Sequence, residues 1–408
     1  MANGKRIMRR TADSSADPLS LNPYADLPDE VLLQVLERSA EVAEGVRALF
    51  SRVDENRASM RETLVTGGNI RHIKDLPVLS VAPSVAAVDG GAAIEKALGA
   101  DTALAVAVGI EGLTDAPSVH WPSVQYAAWQ KTLPHEGEDT ATICRGIMTA
   151  LELAVLRDAP HDVVLLDGSH LTPVIALNKA LGVTHEGLRT ELARIFSPEG
   201  KDTAEALRAV MTRPEIVAVV KYDGSRDLSH TWLPADVRGP GLGLDDRTTM
   251  SLLLEAGEYT APQPVALTQQ SKSNWTQKHI EALNPADEIR EAVRVAVNDV
   301  ITLVRGDEPG LLVTYFRPHA WSPAFRLEIK PAVAASPPRL AAVLSAITKQ
   351  VVSPEIREPY PQWVADRMAK SVGDALTALR AAVNYDLADA GFGEYISLVA
   401  HSYRTEPV

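Results

Sequence analysis

Three apolar runs in this sequence end in Asp-Gly, at Asp89, Asp167 and Asp223. An aspartate at the carboxyl end of a buried central strand lies where α/β sheets usually place their ligands, and the glycine after it lets a substrate approach closely. Asp-Gly is also a common tight-turn dipeptide, so one instance alone carries little weight. The setting of Asp89 and Asp167 favours a site, because both runs read as buried central strands.

A third carboxylate lies between these two aspartates, on the helical segment 144–157. Glu152 lies beside the apolar face of this segment, and a helix packed on the sheet would direct it toward the strand ends. Glu152 is equally well explained as a solvated surface carboxylate. Arg145 precedes Glu152 by seven residues on a similar helical azimuth, so it either pairs with Glu152 or contacts a phosphate group.

Carboxylates that converge to within a few ångströms repel each other, and one of them becomes protonated near neutral pH unless a cation is present. Mg²⁺ or Mn²⁺ removes this conflict, since hard divalent cations prefer oxygen ligands and can activate water for attack on a phosphodiester. The lone Cys144 and the scattered histidines give no zinc-type spacing. The sequence also lacks a G-x-x-x-x-G-K-[ST] loop, which argues against an ATPase.

The composition limits the class of protein. The chain has 408 residues, of which 46% are hydrophobic, enough for one large domain with excursions. A formal charge of −13 argues against nonspecific coating of nucleic acid, because that affinity normally comes from excess Lys and Arg. One cysteine, no bilayer-length apolar run and no apolar signal-peptide core predict a soluble, cytoplasmic protein with no membrane contact.

The chain begins with a basic and polar stretch, residues 1–25, which we interpret as a flexible tail, with a DNA-binding arm as the alternative. Residues 26–78 are predicted to be an N-terminal helical segment, with one amphipathic helix from Asp26 and Pro28 to about residue 61. Its apolar stripe repeats every seven residues and either packs on the domain body or pairs with a second subunit.

The pattern then predicts strands alternating with helices across a main domain, residues 79–390. The predicted strands are 85–88, 102–110, 119–129, 162–166, 216–222, 311–317 and 325–329. The predicted helices are 138–157, 184–196, 203–211, 248–254, 286–304, 338–351 and 362–382. Residues 226–284 read mainly as loops, and residues 391–408 as a C-terminal tail. This order indicates an α/β fold with a mixed central β-sheet flanked by helices, preceded by the N-terminal amphipathic helix.

The chain resembles the NurA nuclease family over about residues 80–385. The resemblance rests on the order of several short elements: Val-Asp89-Gly-Gly, the helix with Glu152, Leu-Leu-Asp167-Gly-Ser, the strand before Lys221, the strand with Glu328, and Tyr360-Pro followed by Ala-Asp366-Arg. It implies a ribonuclease-H-like core and a homodimer that processes DNA ends together with the ring-shaped hexameric ATPase HerA.

By this resemblance, Asp89, Glu152 and Asp167 are the metal-binding carboxylates, and Tyr360 lies near the site. The family often has a basic residue at the position of Lys221, which would contact a substrate phosphate. The alternative for Lys221 is a side chain that extends from the strand end into solvent.

Two positions depart from the family pattern. Asp366 stands where many relatives have histidine, and Glu358 where some have an additional tyrosine. Asp366 can bind a cation or orient water, but it cannot donate a proton as imidazolium does. The alternative for Asp366 is an ion pair with Arg367 or Lys370.

Other residues have two interpretations each. Glu328 alternates with apolar neighbours on its strand, so it either supports the metal ligands from behind or faces solvent. Trp129, Trp321 and Trp363 either stack on unpaired bases or belong to the core.

The sequence therefore predicts a metal-dependent deoxyribonuclease that uses Mn²⁺ or Mg²⁺ on Asp89, Glu152 and Asp167, with Asp366 and Tyr360 assisting. By the resemblance it acts as a single-strand endonuclease and a 5′-to-3′ exonuclease, in repair or in defence against invading DNA. The alternatives are a catalytically silent adaptor that guides DNA for the motor, and a nuclease of the same fold that is directed to RNA.

Overall fold

The computed structural model describes residues 28–97, 100–113, 120–121, 125–195, 200–222, 224–238, 244–265, 310–399 and 405–407. The predicted N-terminal tail, Asp223 and the helix predicted at 286–304 lie outside these residues. The chain divides into two compact units, residues 1–56 and residues 57–408.

Two helices account for the described part of the first unit. They are α1 (Asp29–Glu37) and α2 (Ser39–Thr66), the second of which continues into the larger unit. The sequence predicted one helix here, and the structure instead interrupts it at Arg38. Val35 lies on α1 and Val42 on α2, so the seven-residue apolar repeat crosses this break. The two interpretations of the stripe, intramolecular packing and subunit pairing, both remain predictions.

Eleven strands of the described residues form one mixed sheet. They are β1 (Ile70–His72), β2 (Val85–Ala97), β3 (Ala100–Glu111), β4 (Gln125–Leu133), β5 (Val163–Asp167), β6 (Ile216–Val220), β7 (Glu258–Thr260), β8 (Gln263–Pro264), β9 (Leu312–Arg317), β10 (Phe325–Ile329) and β11 (Thr405–Pro407). The main path runs β1-β7-β9-β10-β6-β5-β2-β3-β4, with β8 beside β9 and β11 beside β2.

The centre of this sheet has the mixed topology that the sequence predicted. Strands β2, β3 and β4 follow one another antiparallel, while β5 is parallel to β2 and β6 is parallel to β5. A crossover that contains a helix joins β2–β4 to β5, and another joins β5 to β6, as parallel pairing requires. The sheet and its flanking helices thus form the α/β fold with a mixed central sheet that the sequence predicted.

Strand β2 does not end at Asp89, which corrects the sequence prediction. Its parallel pairing with β5 stops at Val88, opposite Leu166, whereas its antiparallel pairing with β3 continues to Ala97. Strand β3 is longer than β5 and forms hydrogen bonds with the backbone of the second half of β2. The strand therefore continues past the Asp-Gly. Asp89 therefore lies where β2 loses one of its two neighbours.

The helices pack in layers on the two faces of the sheet. They are α3 (Glu138–Asp158), α4 (Leu171–Leu181), α5 (Glu186–Ile195), α6 (Gly200–Thr212), α7 (Asp227–Trp232), α8 (Ala235–Arg238), α9 (Asp246–Leu253), α10 (Pro331–Ala334), α11 (Pro337–Gln350), α12 (Tyr360–Lys370), α13 (Val372–Asp389) and α14 (Gly393–Val399). Helices α3 to α6 share one apolar core with the face that carries Val88 and Leu166. Helix α11 packs against the opposite face, which carries Ala87 and Leu165.

Alternation along the strands assigns the two aspartates to one face. Side chains two residues apart on a strand point the same way. Asp89 therefore projects from the same face of the sheet as Ala87, and Asp167 from the same face as Leu165. Both carboxylates therefore project from the face opposite α3. Helix α13 covers the same face further along, where Leu376 packs against Ala93.

Several predicted elements differ from the structure. Helix α4 was not predicted, although Pro173 lies in its first turn, where a missing N–H costs little. The helix predicted at 362–382 is two helices, α12 and α13, which meet at Ser371. The helix predicted at 248–254 is α9, but the described part of the predicted loop region, up to residue 265, also contains α7, α8, β7 and β8. The predicted C-terminal tail contains α14 and β11, and β11 pairs with β2.

Among the helices that the structure describes, none combines the length and the apolar surface that crossing a lipid bilayer demands.

Candidate metal centre

Three aspartates from distant parts of the chain meet at the edge where β2 and β5 part. Asp89, Asp167 and Asp366 each place one carboxylate oxygen within 4.8 Å of the oxygens of the other two. Asp89 comes from β2, Asp167 is the last residue of β5, and Asp366 comes from α12. The structure thus brings together two of the three predicted metal ligands with the residue that replaces the family histidine.

The two glycines after Asp89 allow this approach. A β-carbon on Gly91 would lie 2.1 Å from the carbonyl oxygen of Ala369, so only glycine lets the backbone of α12 approach β2 this closely. That close contact, one turn from Asp366 on the same helix, places the Asp366 carboxylate over the strand. On the other face, a β-carbon on Gly90 would lie 2.9 Å from Met148 and 3.4 Å from Oε2 of Glu152.

Glu152 lies beside the three aspartates without being one of the group. It is part of α3, and its carboxyl group is turned inward at the space that Gly90 leaves free. The sheet therefore has three carboxylates on one face and Glu152 at the other, all near the same point of β2. Its role as a metal ligand stays a prediction.

Lys221 provides the positive charge closest to Asp167. Its Nζ lies 2.8 Å from Oδ2 of Asp167 and 2.6 Å from Oε2 of Glu358. The Lys221 carbonyl accepts a hydrogen bond from the guanidinium of Arg247, which also donates to the carbonyl of Ala324 at 3.1 Å. Lys221 is therefore held at the carboxylates rather than extended into solvent. Glu358, at the position where some relatives have tyrosine, is a member of this ion-pair group that the sequence prediction did not include.

Burial and the close approach of these charged groups shift the pKa values of Asp89, Glu152 and Lys221. Burial and the charge of Asp167 raise the pKa of Asp89 to about 7, although Lys221 and the Gly90 N–H act in the opposite direction. Burial and the charges of Asp89 and Asp167 also raise the pKa of Glu152 well above its ordinary value. Burial lowers the pKa of Lys221, but Asp167 and Glu358 outweigh burial and raise it. The amine is charged at neutral pH, whereas the raised pKa values of Asp89 and Glu152 mean that these two carboxyl groups keep their protons to a higher pH than usual.

A buried glutamate holds the turn that follows Asp167. The Ser169 hydroxyl donates to Glu328 at 2.9 Å, and the His170 backbone N–H donates to the same carboxylate at 3.0 Å. Arg326 adds a third contact at 3.0 Å. Glu328 is 1% exposed and lies at the N-terminus of α4, where a negative charge is favourable. Of its two predicted positions, the structure places Glu328 behind the metal ligands and not at the surface.

The charges around Glu328 are compatible with its burial. Burial would raise the pKa of Glu328, but contacts with His170 and Arg326 outweigh it and hold the pKa at about 2. Burial, together with the charge of Lys330, lowers the pKa of His170 to about 4 despite the opposite effect of Glu328. Because the imidazole is then neutral at pH 7, the His170 backbone N–H and Arg326 stabilise the carboxylate there.

The remaining predicted residues lie around this centre. Tyr360 begins α12, with its ring centroid 6.4 Å from that of Trp363. Asp366 also forms the predicted ion pair with Lys370, at 2.7 Å, and its role toward a cation or water stays a prediction. Arg145 does not pair with Glu152; its guanidinium lies 3.4 Å from Glu138. Side chains on a helix tilt toward its N-terminus. Arg145 therefore reaches Glu138, seven residues before it, more easily than Glu152, seven residues after it.

A divalent cation fits this arrangement. The group offers carboxylate oxygens only, the donors that Mg²⁺ and Mn²⁺ prefer. With Glu152 and Glu358 the centre contains five carboxyl groups against the two ammonium groups of Lys221 and Lys370. Burial and the charge of Asp167 both raise the pKa of Asp89, so a bound cation would favour the ionised carboxylate. The three aspartates could therefore hold a metal ion.

The structure is similar to solved nuclease structures. The NurA nuclease from Sulfolobus solfataricus matches it with a TM-score of 0.55 and 14% identity, over 89% of this chain and 98% of that one. A crystal structure of NurA with manganese matches with a TM-score of 0.48 and 11% identity, over 85% of this chain and 98% of that one. No protein-family model matches the sequence, and neither does any curated protein. At these identities the similarity concerns the fold: this chain has the fold of the NurA nucleases.

Proposed function

We propose that this protein is a divalent-metal-dependent nuclease that hydrolyses DNA phosphodiesters at Asp89, Asp167 and Asp366. The observation that carries the proposal is the convergence of these three carboxylates to within 4.8 Å at the edge of the mixed sheet. The fold shared with NurA nucleases supports it. Mn²⁺ or Mg²⁺ bound there would supply the positive charge that stabilises a phosphodiester under attack and that activates water.

The chain's own residues have separate tasks in this proposal. The three aspartates bind and orient the cation, and Glu152 accepts a proton or adds a ligand from the α3 side of the sheet. Lys221, already charged and fixed by Arg247, is positioned to contact a phosphate oxygen once a cation neutralises Asp167. Tyr360 and Asp366 assist from α12. Arg145 lines a cavity of about 220 Å³ between α3 and α4 with Lys179, a second position for a phosphate contact.

A cleavage assay tests the proposal. Linear single-stranded DNA, duplex DNA and a matched RNA are incubated with the protein in Mn²⁺, in EDTA and with Asp89→Asn. We expect cleavage of DNA by wild type in Mn²⁺ and none in EDTA or with the variant. Asp101→Asn is the control, since Asp101 is a buried carboxylate on β3 opposite Lys96, at the far end of the same hairpin.

The results separate the alternatives. Cleavage that persists in EDTA or with Asp89→Asn contradicts metal-dependent hydrolysis at this centre. No cleavage by wild type, with or without a HerA-type motor, would identify a catalytically silent adaptor. Preferential cleavage of the RNA would identify an RNA-directed nuclease instead.

On the family resemblance we also propose that the protein is a homodimer that works with a HerA-type hexameric ATPase in DNA end resection or in defence. Light scattering of the purified chain tests the dimer, and a monomer at micromolar concentration would contradict it. Stimulation of cleavage by a HerA-type ATPase tests the motor. By the same resemblance the exonuclease polarity is 5′ to 3′, which end-labelled substrates check.

A further inference from the structure

Helix α12 has a second functional stripe beside the one that carries Asp366. Tyr360, Trp363 and Arg367 follow one another at spacings of three and four residues, so their side chains share one side of the helix. The Tyr360 and Trp363 rings have centroids 6.4 Å apart, tilted by 37°. The guanidinium of Arg367 lies 4.9 Å from the centre of the Trp363 ring. Two π-faces and one cation thus form a continuous row.

This row is adjacent to the carboxylates. Trp363 precedes Asp366 by three residues, and side chains at this spacing are neighbours on a helix surface. Lys370, whose Nζ lies 2.7 Å from Asp366, brings a second cation to the same side. A phosphate at the carboxylates would therefore leave its attached nucleoside within reach of the Trp363 ring.

The row is not required to complete the protein core. The buried residues of α12 are Pro361, Gln362, Ala365 and Ala369, while Trp363 is half-buried and Arg367 is exposed. Small residues thus provide the contact with β2. A half-exposed aromatic pair next to an exposed cation is the combination that binds unpaired nucleic acid, because bases stack on aromatic rings and phosphates attract the cation.

We propose that Tyr360, Trp363 and Arg367 form a stacking surface for the unpaired bases of a single strand whose phosphate lies at Asp89, Asp167 and Asp366. This inference rests on the proposed nuclease function and names the residues that would contact the bases of its substrate. Bases in a duplex are stacked on one another and cannot also stack on Trp363, so the surface selects unpaired strands over duplex. Stacking does not read hydrogen-bonding edges, and the surface therefore tolerates any sequence.

An abasic oligonucleotide isolates the stacking contribution. It presents the same phosphates as a normal single strand but offers no base. Binding of fluorescent strands is measured by anisotropy with Ca²⁺ in place of Mn²⁺, so that a divalent cation occupies the carboxylates, and gels confirm that the strands stay intact. We expect wild type to bind the normal strand about 5- to 150-fold more tightly than the abasic strand, the range expected for one stacked base.

Two substitutions at one position separate the π-face from side-chain bulk. Trp363→Leu fills much of the same space without a ring and should bind the normal strand as weakly as wild type binds the abasic one. Trp363→Phe keeps a π-face and should retain most of the preference. The affinity for the abasic strand should be the same in all three proteins. Thermal melting of each variant confirms that it is folded.

Tyr395→Leu is the matched control. Tyr395 is 56% exposed and belongs to an aromatic pair outside α12, with its ring centroid 6.4 Å from that of Phe392. It should leave both affinities unchanged. The proposal is overturned if wild type binds the two strands equally or does not bind either, if Trp363→Leu weakens both strands alike, or if Tyr395→Leu has the same effect as Trp363→Leu. If the protein prefers the normal strand to the abasic strand but cleaves no DNA in Mn²⁺, the stacking surface is supported and the proposed nuclease activity is contradicted.

Discussion

The ammonium group of Lys221 lies 2.8 Å from Oδ2 of Asp167, one of the three carboxylates that could hold a metal ion. In the protein alone, Lys221 partly balances the charge of the aspartates, and it lowers the pKa of Asp89. A bound divalent cation would take over this role and leave Lys221 free for a phosphate oxygen. Metal and substrate binding are thereby coupled through one side chain.

This coupling predicts opposite effects of Lys221→Met on metal and on substrate. Without the ammonium, Mn²⁺ has no cation to displace from Asp167, so the metal should bind at least as tightly as in wild type, measured by calorimetry. The KM for DNA should rise by about 10- to 100-fold, the cost of a lost charged hydrogen bond. Lys74→Met, on the exposed side of the short 3₁₀ helix (Ile73–Asp75), is the control. Weaker Mn²⁺ binding with an unchanged KM would contradict this role.

Gly91→Ala should displace α12 and with it Asp366. The new β-carbon would meet the backbone of Ala369 at 2.1 Å, which no rotamer change relieves. We expect a loss of stability of about 1–3 kcal/mol by urea denaturation and weaker Mn²⁺ binding. Gly373→Ala on α13 is the control, because nothing lies within 4 Å of its β-carbon. It should be neutral or slightly stabilising, and equal damage by both substitutions would contradict the close-contact argument.

The raised pKa of Asp89 predicts how stability depends on pH without metal. Its folded value, about 7, exceeds the ordinary value of 3.8, so the folded state binds the proton more tightly than the unfolded state. The contribution of Asp89 to stability is therefore greatest below about pH 4 and is lost as the pH rises from about 4 to 7. The difference between Asp89→Asn and wild type should grow across this window, by on the order of 4 kcal/mol in favour of the variant.

Urea denaturation in EDTA at several pH values checks this dependence. Addition of Mn²⁺ at pH 7.5 should stabilise wild type and leave Asp89→Asn almost unchanged, since a ligand stabilises only the state that binds it. If the stability difference between the two proteins stays constant across this pH range, the pKa of Asp89 is not raised in the folded protein.

Glu328→Gln should weaken metal binding although Glu328 is not placed among the ligands. The amide keeps one acceptor oxygen and no charge. It can accept from Ser169 and His170 at the position of Oε2 or from Arg326 at that of Oε1, but not from both, so the turn after Asp167 is held less firmly. Residues that orient metal ligands typically contribute about 10- to 100-fold in affinity, and we expect a loss in the lower part of this range. The control is Glu95→Gln, which removes a similarly buried charge paired with Arg380. Equal Mn²⁺ affinities of the two variants would contradict the positioning role.

The sequence predicted the parts of the centre that depend on local pattern. The apolar runs before Asp89 and Asp167 placed both at one sheet edge, and parallel pairing of β2 with β5 brings them together. The position of Asp366 depends on how α12 docks on β2 through Gly91, a contact between distant segments that no local pattern specifies. The same holds for Glu358 beside Lys221.

The fold prediction failed where local signals conflict with long-range pairing. Asp-Gly predicts a turn, yet β3 provides a partner that carries β2 past Asp89 to Ala97. Residues 405–407 look like a tail but complete the edge of β2. The charged residues Arg326, Glu328 and Lys330 on an otherwise apolar strand were the available signal for the buried network behind Asp167.

The most direct test of the account is Mn²⁺ binding and DNA cleavage measured on the same samples of wild type, Asp167→Asn and Asp162→Asn. Asp167 ends β5, whereas Asp162 precedes it and bonds Ser84 at the other end of the strand. We predict that Asp167→Asn loses Mn²⁺ binding and cleavage together, and that Asp162→Asn keeps both. Cleavage by Asp167→Asn without bound metal, or loss of both properties in Asp162→Asn alone, would contradict a metal-dependent nuclease centred on these carboxylates.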